Sequence, residues 1–234
     1  MTESSTSSTD VQVIDRVVIR FAGDSGDGMQ LTGTRFTAES ALFGNDLATL
    51  PEFPAEIRAP HGTLAGVSAF QVHISDHEIT TPGDAPSVLI AMNPAALKKE
   101  LPRLEDRGTI IANVDAFEER NLEKAGYEAN PLDDGSLKGY TVFSVPITTL
   151  TTRALEDLNV KKRDAERSKN FFALGLVSWM YSRPLDNTLS WIDGKFAKNE
   201  TVRDANTVAL KAGHAFGETA ELFDHHYDCL LYTS

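Results

Sequence analysis

Val17-Val18-Ile19-Arg20-Phe21-Ala22-Gly23-Asp24-Ser25-Gly26-Asp27-Gly28-Met29-Gln30-Leu31-Thr32-Gly33 decides the fold. A β-branched run enters a loop with glycines at 23, 26 and 28, and a helix-like segment follows with Gly33 one turn in. That is the outline of a strand, a tight turn and a helix N-terminus. Such a turn presents backbone N–H groups at the positive end of a helix dipole and suits an anionic group. The spacing is neither the dinucleotide pattern G-x-G-x-x-G nor a P-loop, because no Lys-Ser/Thr pair follows. Asp24 and Asp27 stand where a phosphate would be repelled. Two readings stay open: a ligand loop built on Gly23, Ser25, Gly26 and Gly28, or a structural turn with no ligand.

Downstream, the apolar pattern alternates between the two periods. Residues 29–43 read as a helix with Met29, Phe36, Ala41 and Leu42 as its apolar or small positions, closed by Gly44-Asn45. Residues 47–50, 64–74, 87–92, 108–114 and 140–145 read as strands, the 87–92 run apolar from Val88 onward as in a buried parallel sheet. Asn93-Pro94 opens a helix, and Asp115 reads as the cap of another. After Pro146 the chain reads as helices over 147–158, 167–181, 185–196 and 201–223. Strand–helix–strand order predicts an α/β domain, Rossmann-like: a mostly parallel sheet flanked by helices, with a helical C-terminal part. Residues 1–15 read as a disordered arm, 16–223 as the domain, and 224–234 as a tail.

The chain has 234 residues and a net charge of −12, from 22 basic and 34 acidic residues. This charge argues against nucleic-acid binding, which needs a basic footprint. The Ser/Thr-rich start carries no basic or apolar leader, and no apolar run is long enough to span a membrane. The one cysteine, Cys229, can neither pair internally nor hold an iron–sulfur cluster, and a reducing cytoplasm is the simplest setting.

Two further segments carry chemistry. Glu56-Ile57-Arg58-Ala59-Pro60-His61-Gly62-Thr63 sets an arginine and a histidine in an irregular loop. The Arg58 fork suits a carboxylate or phosphate, the plainer reading being a surface arginine. His61 has no base or nucleophile beside it. Arg167-Ser168-Lys169-Asn170-Phe171-Phe172-Ala173-Leu174-Gly175-Leu176-Val177 reads as a core helix with Lys169 and Asn170 near its start, able to face a ligand or partner chain. Lys161-Lys162-Arg163 reads as a solvated basic run. His225-His226 and Cys229 raise a metal site, which their place in a frayed terminus disfavours. No catalytic triad or carboxylate pair emerges, so no catalytic residue is expected.

The loop Gly23-Asp24-Ser25-Gly26-Asp27-Gly28-Met29, the run Arg58-Ala59-Pro60-x-Gly62-Thr63 and the helix Lys169-Asn170-Phe171-Phe172-Ala173-Leu174-Gly175 occur in this order. Together they resemble the gamma domain of 2-oxoacid:ferredoxin (acceptor) oxidoreductases, in the fused alpha subunit of the 2-oxoglutarate type. The likeness covers about residues 16–220 and includes Lys195-Phe196, Asn206, Ala212-Gly213 and Gly217-Glu218. It implies a non-catalytic domain of an enzyme that decarboxylates a 2-oxoacid oxidatively with thiamine diphosphate, iron–sulfur clusters and coenzyme A. It also implies partners: the thiamine-binding domain of the alpha subunit, a beta subunit, and ferredoxin through the complex. This stretch alone would bind none of the cofactors tightly. The family's usual Gly-Gly-Gln-Gly loop is replaced here by Asp24-Ser25-Gly26-Asp27-Gly28, which weakens any transfer of phosphate binding to it. The ending Asp228-Cys229-Leu230-Leu231-Tyr232-Thr233-Ser234 departs from the family and reads as a truncation scar. The rival reading is a stand-alone nucleotide or small-ligand module.

Overall fold

The computed structural model describes residues 10–54, 66–158, 160–220 and 225–229. Its centre is a six-stranded sheet of β2 (Arg16–Asp24), β3 (Asp46–Glu52), β4 (Val67–Ser75), β5 (Val88–Ala91), β6 (Thr109–Asn113) and β7 (Thr141–Val145). The spatial order is β3-β4-β2-β5-β6-β7. β2, β5, β6 and β7 run parallel to one another, while β4 is antiparallel to both of its neighbours. The fold is thus α/β with a mostly parallel sheet flanked by helices, as the strand–helix alternation predicts.

Strand alternation distributes β2 between two cores. Val17, Ile19 and Phe21 join one cluster, and Ala22 joins the other. The first face is covered by α1 (Met29–Ala41) and α6 (Lys169–Met180), with α7 (Asp186–Lys195) and α8 (Glu200–Thr219) behind them. The second face is covered by α2 (Pro94–Glu100) and α3 (Glu119–Ala125). Between β7 and α6 lie α4 (Ile147–Ala154) and α5 (Lys162–Arg167). No helix among the described residues is long and apolar enough to cross a membrane.

Every residue of α6 from Asn170 to Met180 is buried, so this helix is core on all sides. Its tightest neighbour is α8. A methyl group on Gly213 would fall on the Phe172 carbonyl, 2.7 Å from its carbon, and one on Gly175 would fall on the Leu210 carbonyl. The two backbones therefore touch at a crossing that only glycine permits. Buried Ser168 locks the same junction by donating to Asn206 Oδ1 at 2.8 Å.

β2 also carries a charge into the sheet. Arg20 is fully buried. Its Nε donates to Glu100 Oε2 at 2.7 Å and its terminal nitrogens donate to Glu52 Oε2 at 2.7 Å and Gln71 Oε1 at 3.2 Å. Arg103 closes the ring on the other oxygen of Glu52. Burial alone would raise the Glu52 carboxyl, but the hydrogen bond from Arg103 and the charges of both arginines outweigh it, so it sits below its usual range.

Several local expectations give way to tertiary structure. Residues 10–14 of the expected arm form β1 (Asp10–Ile14), paired in parallel with β8 (His225–Cys229) in the segment expected to be a frayed tail. A pairing across more than 200 residues leaves no local mark on either segment. Asp115 does not cap the helix that follows it. Its carboxylate accepts from Thr149 N and Oγ1, at 2.7 and 2.9 Å, in the first turn of α4. In α1 the buried stripe is Met29, Thr32, Gly33, Phe36, Glu39 and Ser40, which leaves Leu42 outside it and 64% exposed. Glu39 is admitted inside because Thr188 Oγ1 and Arg35 satisfy it.

Two measurements test this account. Gly213→Ala, which in an ordinary helix stabilises by about 1 kcal/mol, is expected instead to destabilise by about 1–3 kcal/mol through overpacking, read as a lower urea midpoint. Arg20→Met removes the shortest ion pair of the buried Glu100 carboxylate, leaving it only Arg103 and Lys99 at 3.7 and 3.8 Å, and is expected to cost about 3–5 kcal/mol by the same measurement.

Candidate functional site

In open α/β sheets ligands bind outside the carboxyl ends of the strands, where the chain order reverses. That point here lies between β2 and β5: from β2 the chain goes outward to β3 and β4, then returns to β5 on the other side. The glycine loop leaves β2 at this place, and Met92 N donates to Ala22 O at 2.9 Å alongside it. The β3–β4 connection leaves from the same end, because Val67 pairs opposite Asp24 and Glu52 opposite Ala69. The side-chain amide of Gln30 ties that base to α1 by donating to Glu52 O, Ala69 O and Ser68 Oγ at 2.9–3.0 Å.

The loop itself is organised by Asp27. One carboxylate oxygen accepts from Asp24 N at 2.8 Å and from Asn93 Nδ2 at 3.4 Å. The other pairs with Lys169 Nζ at 2.9 Å. The turn is closed in reverse by Asp27 N donating to Asp24 O at 2.9 Å. Gly23 makes room for this: a Cβ there would sit 2.7 Å from Asp27 Oδ2 and 3.1 Å from Met92 Cβ. Burial, with the Asp27 charge next, raises the Asp24 carboxyl above its usual range.

Gly28 is the N-cap of α1, in the left-handed region at φ 73°. A Cβ there would also meet the Asn170 amide, 2.5 Å from Nδ2. Asn170 is buried, and its Oδ1 has no hydrogen-bond partner among the described residues. Gly28 brings no capping side chain, and the first turn of α1 holds no acid. Among the described residues, the N-cap of α1 therefore supplies no side-chain acceptor to its N-terminal N–H groups. The start of α6 is tied to the same place through Thr32 Oγ1, placed between Gly28 O and Asn170 O at 3.2 and 3.5 Å.

Of the residues singled out from sequence, Gly23, Gly28, Lys169 and Asn170 meet at this crevice, although about 140 positions separate the two segments. Ser25 and Gly26 form the exposed tip of the turn, and nothing lies within 4 Å of a Cβ placed on Gly26. Arg58 and His61 lie outside the described residues. Sequence reasoning set Asp27 aside as a repulsive charge and gave Asn93 only a helix-opening role. The ion pair with Lys169 depends on a helix that arrives late in the chain, and no local spacing announces it. Among the described residues, no three His, Cys, Asp or Glu side chains converge as a metal site would require.

The roles of the two loop glycines separate by substitution. Gly28→Ala forces an L-residue into the left-handed region against Asn170 and is expected to cost about 1–2 kcal/mol. Gly26→Ala enters open space and is expected to stay within about 0.5 kcal/mol of the parent. Thermal unfolding of the two variants checks both values.

Comparison with known proteins agrees with this architecture. The family model for pyruvate ferredoxin/flavodoxin oxidoreductase matches residues 18–216. The 2-oxoglutarate oxidoreductase subunit KorA of Mycobacterium tuberculosis is 57% identical over 219 residues, 94% of this chain and 34% of that protein. The chain thus spans about a third of the length of its curated relative. A 2-oxoglutarate:ferredoxin oxidoreductase from Magnetococcus marinus, solved with 2-oxoglutarate, coenzyme A and succinyl-CoA bound, superposes with a TM-score of 0.69 at 22% identity, over 94% of this chain and 34% of that one. Pyruvate oxidoreductase subunit PORC from Thermotoga maritima gives a TM-score of 0.56 at 19% identity, over 86% of this chain and 97% of its own. The gamma subunit of a keto/oxoacid ferredoxin oxidoreductase from Geobacter sulfurreducens gives 0.54 at 19%, over 85% of this chain and 99% of its own. These two are close to the size of the domain described here, so the gamma subunit and this domain share one fold. By the extent of the family match, the chain belongs to the pyruvate ferredoxin/flavodoxin oxidoreductase family.

Proposed function

We propose that this chain is the gamma-type domain of a 2-oxoglutarate:ferredoxin oxidoreductase, non-catalytic in itself, and that its β2–β5 crevice faces coenzyme A. The observation that carries this reading is the 57% identity to a 2-oxoglutarate oxidoreductase subunit along 94% of the chain. The relative from Magnetococcus marinus supports the substrate, since it holds coenzyme A and succinyl-CoA.

The chemistry of the crevice fits such a substrate. Coenzyme A is a polyanion with amide and hydroxyl donors along its length. Lys169 is a cation at the crevice, and the Oδ1 of Asn170 is an acceptor without a donor among the described residues. Arg58, on the connection that leaves the sheet at the same end, would add a guanidinium fork for a phosphate. The domain's work is then to bind and orient the acyl acceptor. The single cysteine leaves iron–sulfur clusters to other chains or domains, and no thiamine-diphosphate site is assigned to these residues. The partners in this reading are a thiamine-binding domain of the alpha subunit, a beta subunit and ferredoxin, in the cytoplasm. A stand-alone nucleotide module is not favoured, because the loop follows neither nucleotide pattern and the relatives are oxidoreductase subunits.

In the assembled enzyme, Arg58→Ala and Lys169→Ala are each expected to raise the KM for coenzyme A about tenfold, the loss of one charge-assisted hydrogen bond, with kcat and the KM for 2-oxoglutarate nearly unchanged. Steady-state kinetics with each substrate varied in turn measures this. An unchanged KM for coenzyme A in both variants would sink the reading.

A further inference from the structure

The opposite end of the sheet holds a cavity that the coenzyme A reading does not use. Its volume is about 480 Å³, within the ~300–1,000 Å³ of small-molecule sites. The first residue of each parallel strand lines it: Arg16 of β2, Val88 of β5, Thr109 of β6 and Thr141 of β7. It therefore lies one strand length from the β2–β5 crevice, about 25 Å at about 3.3 Å per residue. Its apolar wall is built by Phe143 of β7, Met180 at the end of α6, and Tyr181 and Tyr227, whose rings stack at 5.5 Å and 21°. Tyr181 is 2% exposed, and its hydroxyl has no hydrogen-bond partner among the described residues. A buried phenol ordinarily has one. The rim carries charge of both signs. Arg16 and Arg107 line it, as do Glu105 and Asp106, and none of the four makes an ion pair among the described residues. The turn that presents three of them is held tightly: Gly108 N donates to Glu105 O and Glu105 N donates to Pro86 O, each at 2.9 Å. Within it Arg107 takes φ 64°, in the left-handed region that suits glycine. Backbone strain of this kind collects at ligand sites.

We propose that this cavity binds a small zwitterion with an apolar body, the chemistry of an α-amino acid with an aromatic side chain. A ligand of one charge would gain from two of the rim groups and be opposed by the other two, whereas a zwitterion gains from both pairs. Its carboxylate lies toward Arg16 and Arg107 and its ammonium group toward Glu105 and Asp106. Its ring packs on the wall of Tyr181, Tyr227, Phe143 and Met180, and the Tyr181 hydroxyl gains a polar partner. The site is separate from the β2–β5 crevice and does not rest on the coenzyme A reading.

Titration calorimetry of the full chain with L-phenylalanine at millimolar concentration tests this. Saturable binding is expected. Phenethylamine and 3-phenylpropanoate, each missing one charge, are expected to bind about tenfold more weakly, the loss of one charge-assisted contact. Tyr181→Phe removes only the hydroxyl and is expected to weaken binding about fivefold. Arg107→Gly removes a cation and the backbone strain together. It is expected to weaken binding about tenfold while the thermal midpoint holds or rises, a pair of results that a merely structural arginine would not give. Lys169→Ala, at the far crevice, is expected to leave the affinity for L-phenylalanine unchanged. Absence of saturable binding overturns the proposal, as do equal affinities for the three ligands, unchanged affinity in both Tyr181→Phe and Arg107→Gly, or a loss in Lys169→Ala.

Discussion

The backbone contact between α6 and α8 governs what the rest of the molecule can do. A helix buried on all sides has no solvent face to set its position, so its neighbours must fix it. Gly175 and Gly213 let two helix backbones meet directly, and the Ser168–Asn206 bond stops the pair from sliding. This fixes the start of α6, and with it Lys169 and Asn170, against the turn that leaves β2. The α6 side of the crevice is therefore part of the core itself, and its exposed side is the turn over 24–26.

The second constraint is electrostatic and lies on the opposite face of the sheet. Arg20 joins β2 to β3, β4 and α2 through Glu52, Gln71 and Glu100. A buried charge network of this kind adds little net stability over an apolar core, yet it tolerates no missing member. It favours one arrangement of the strands. Glu52 is also the last residue of β3, where the connection carrying Arg58 begins, so the network anchors one end of that connection.

Much of the fold was legible from sequence because it is written locally. Val88 to Met92 are apolar throughout, as suits a strand covered on both faces, and Asn93-Pro94 starts a helix with a cap and a preset φ. The glycine spacing marked the turn correctly. What stayed hidden depends on partners far away in the chain. No local pattern explains Arg20 inside an apolar strand; its partners Glu100 and Glu52 lie 80 and 32 residues away. Asp115 reads as a cap for its own helix until α4 offers Thr149. Asp27 reads as an obstacle to anions until Lys169 shows whose anion it is. β1 and β8 carry no strong pattern of their own.

The distance in sequence across the crevice also has a consequence in time. Thr32 meets Asn170 across 138 residues, and α6 is fixed only once α8 is present. Loop-closure entropy makes such contacts late ones in folding. On the ribosome, where chains emerge at about 5–20 residues per second, the β2 turn waits several seconds for the helix that completes it. During that interval the first strands are exposed without their α6 cover. The ligand site proposed at this crevice would then be complete only after the core has closed.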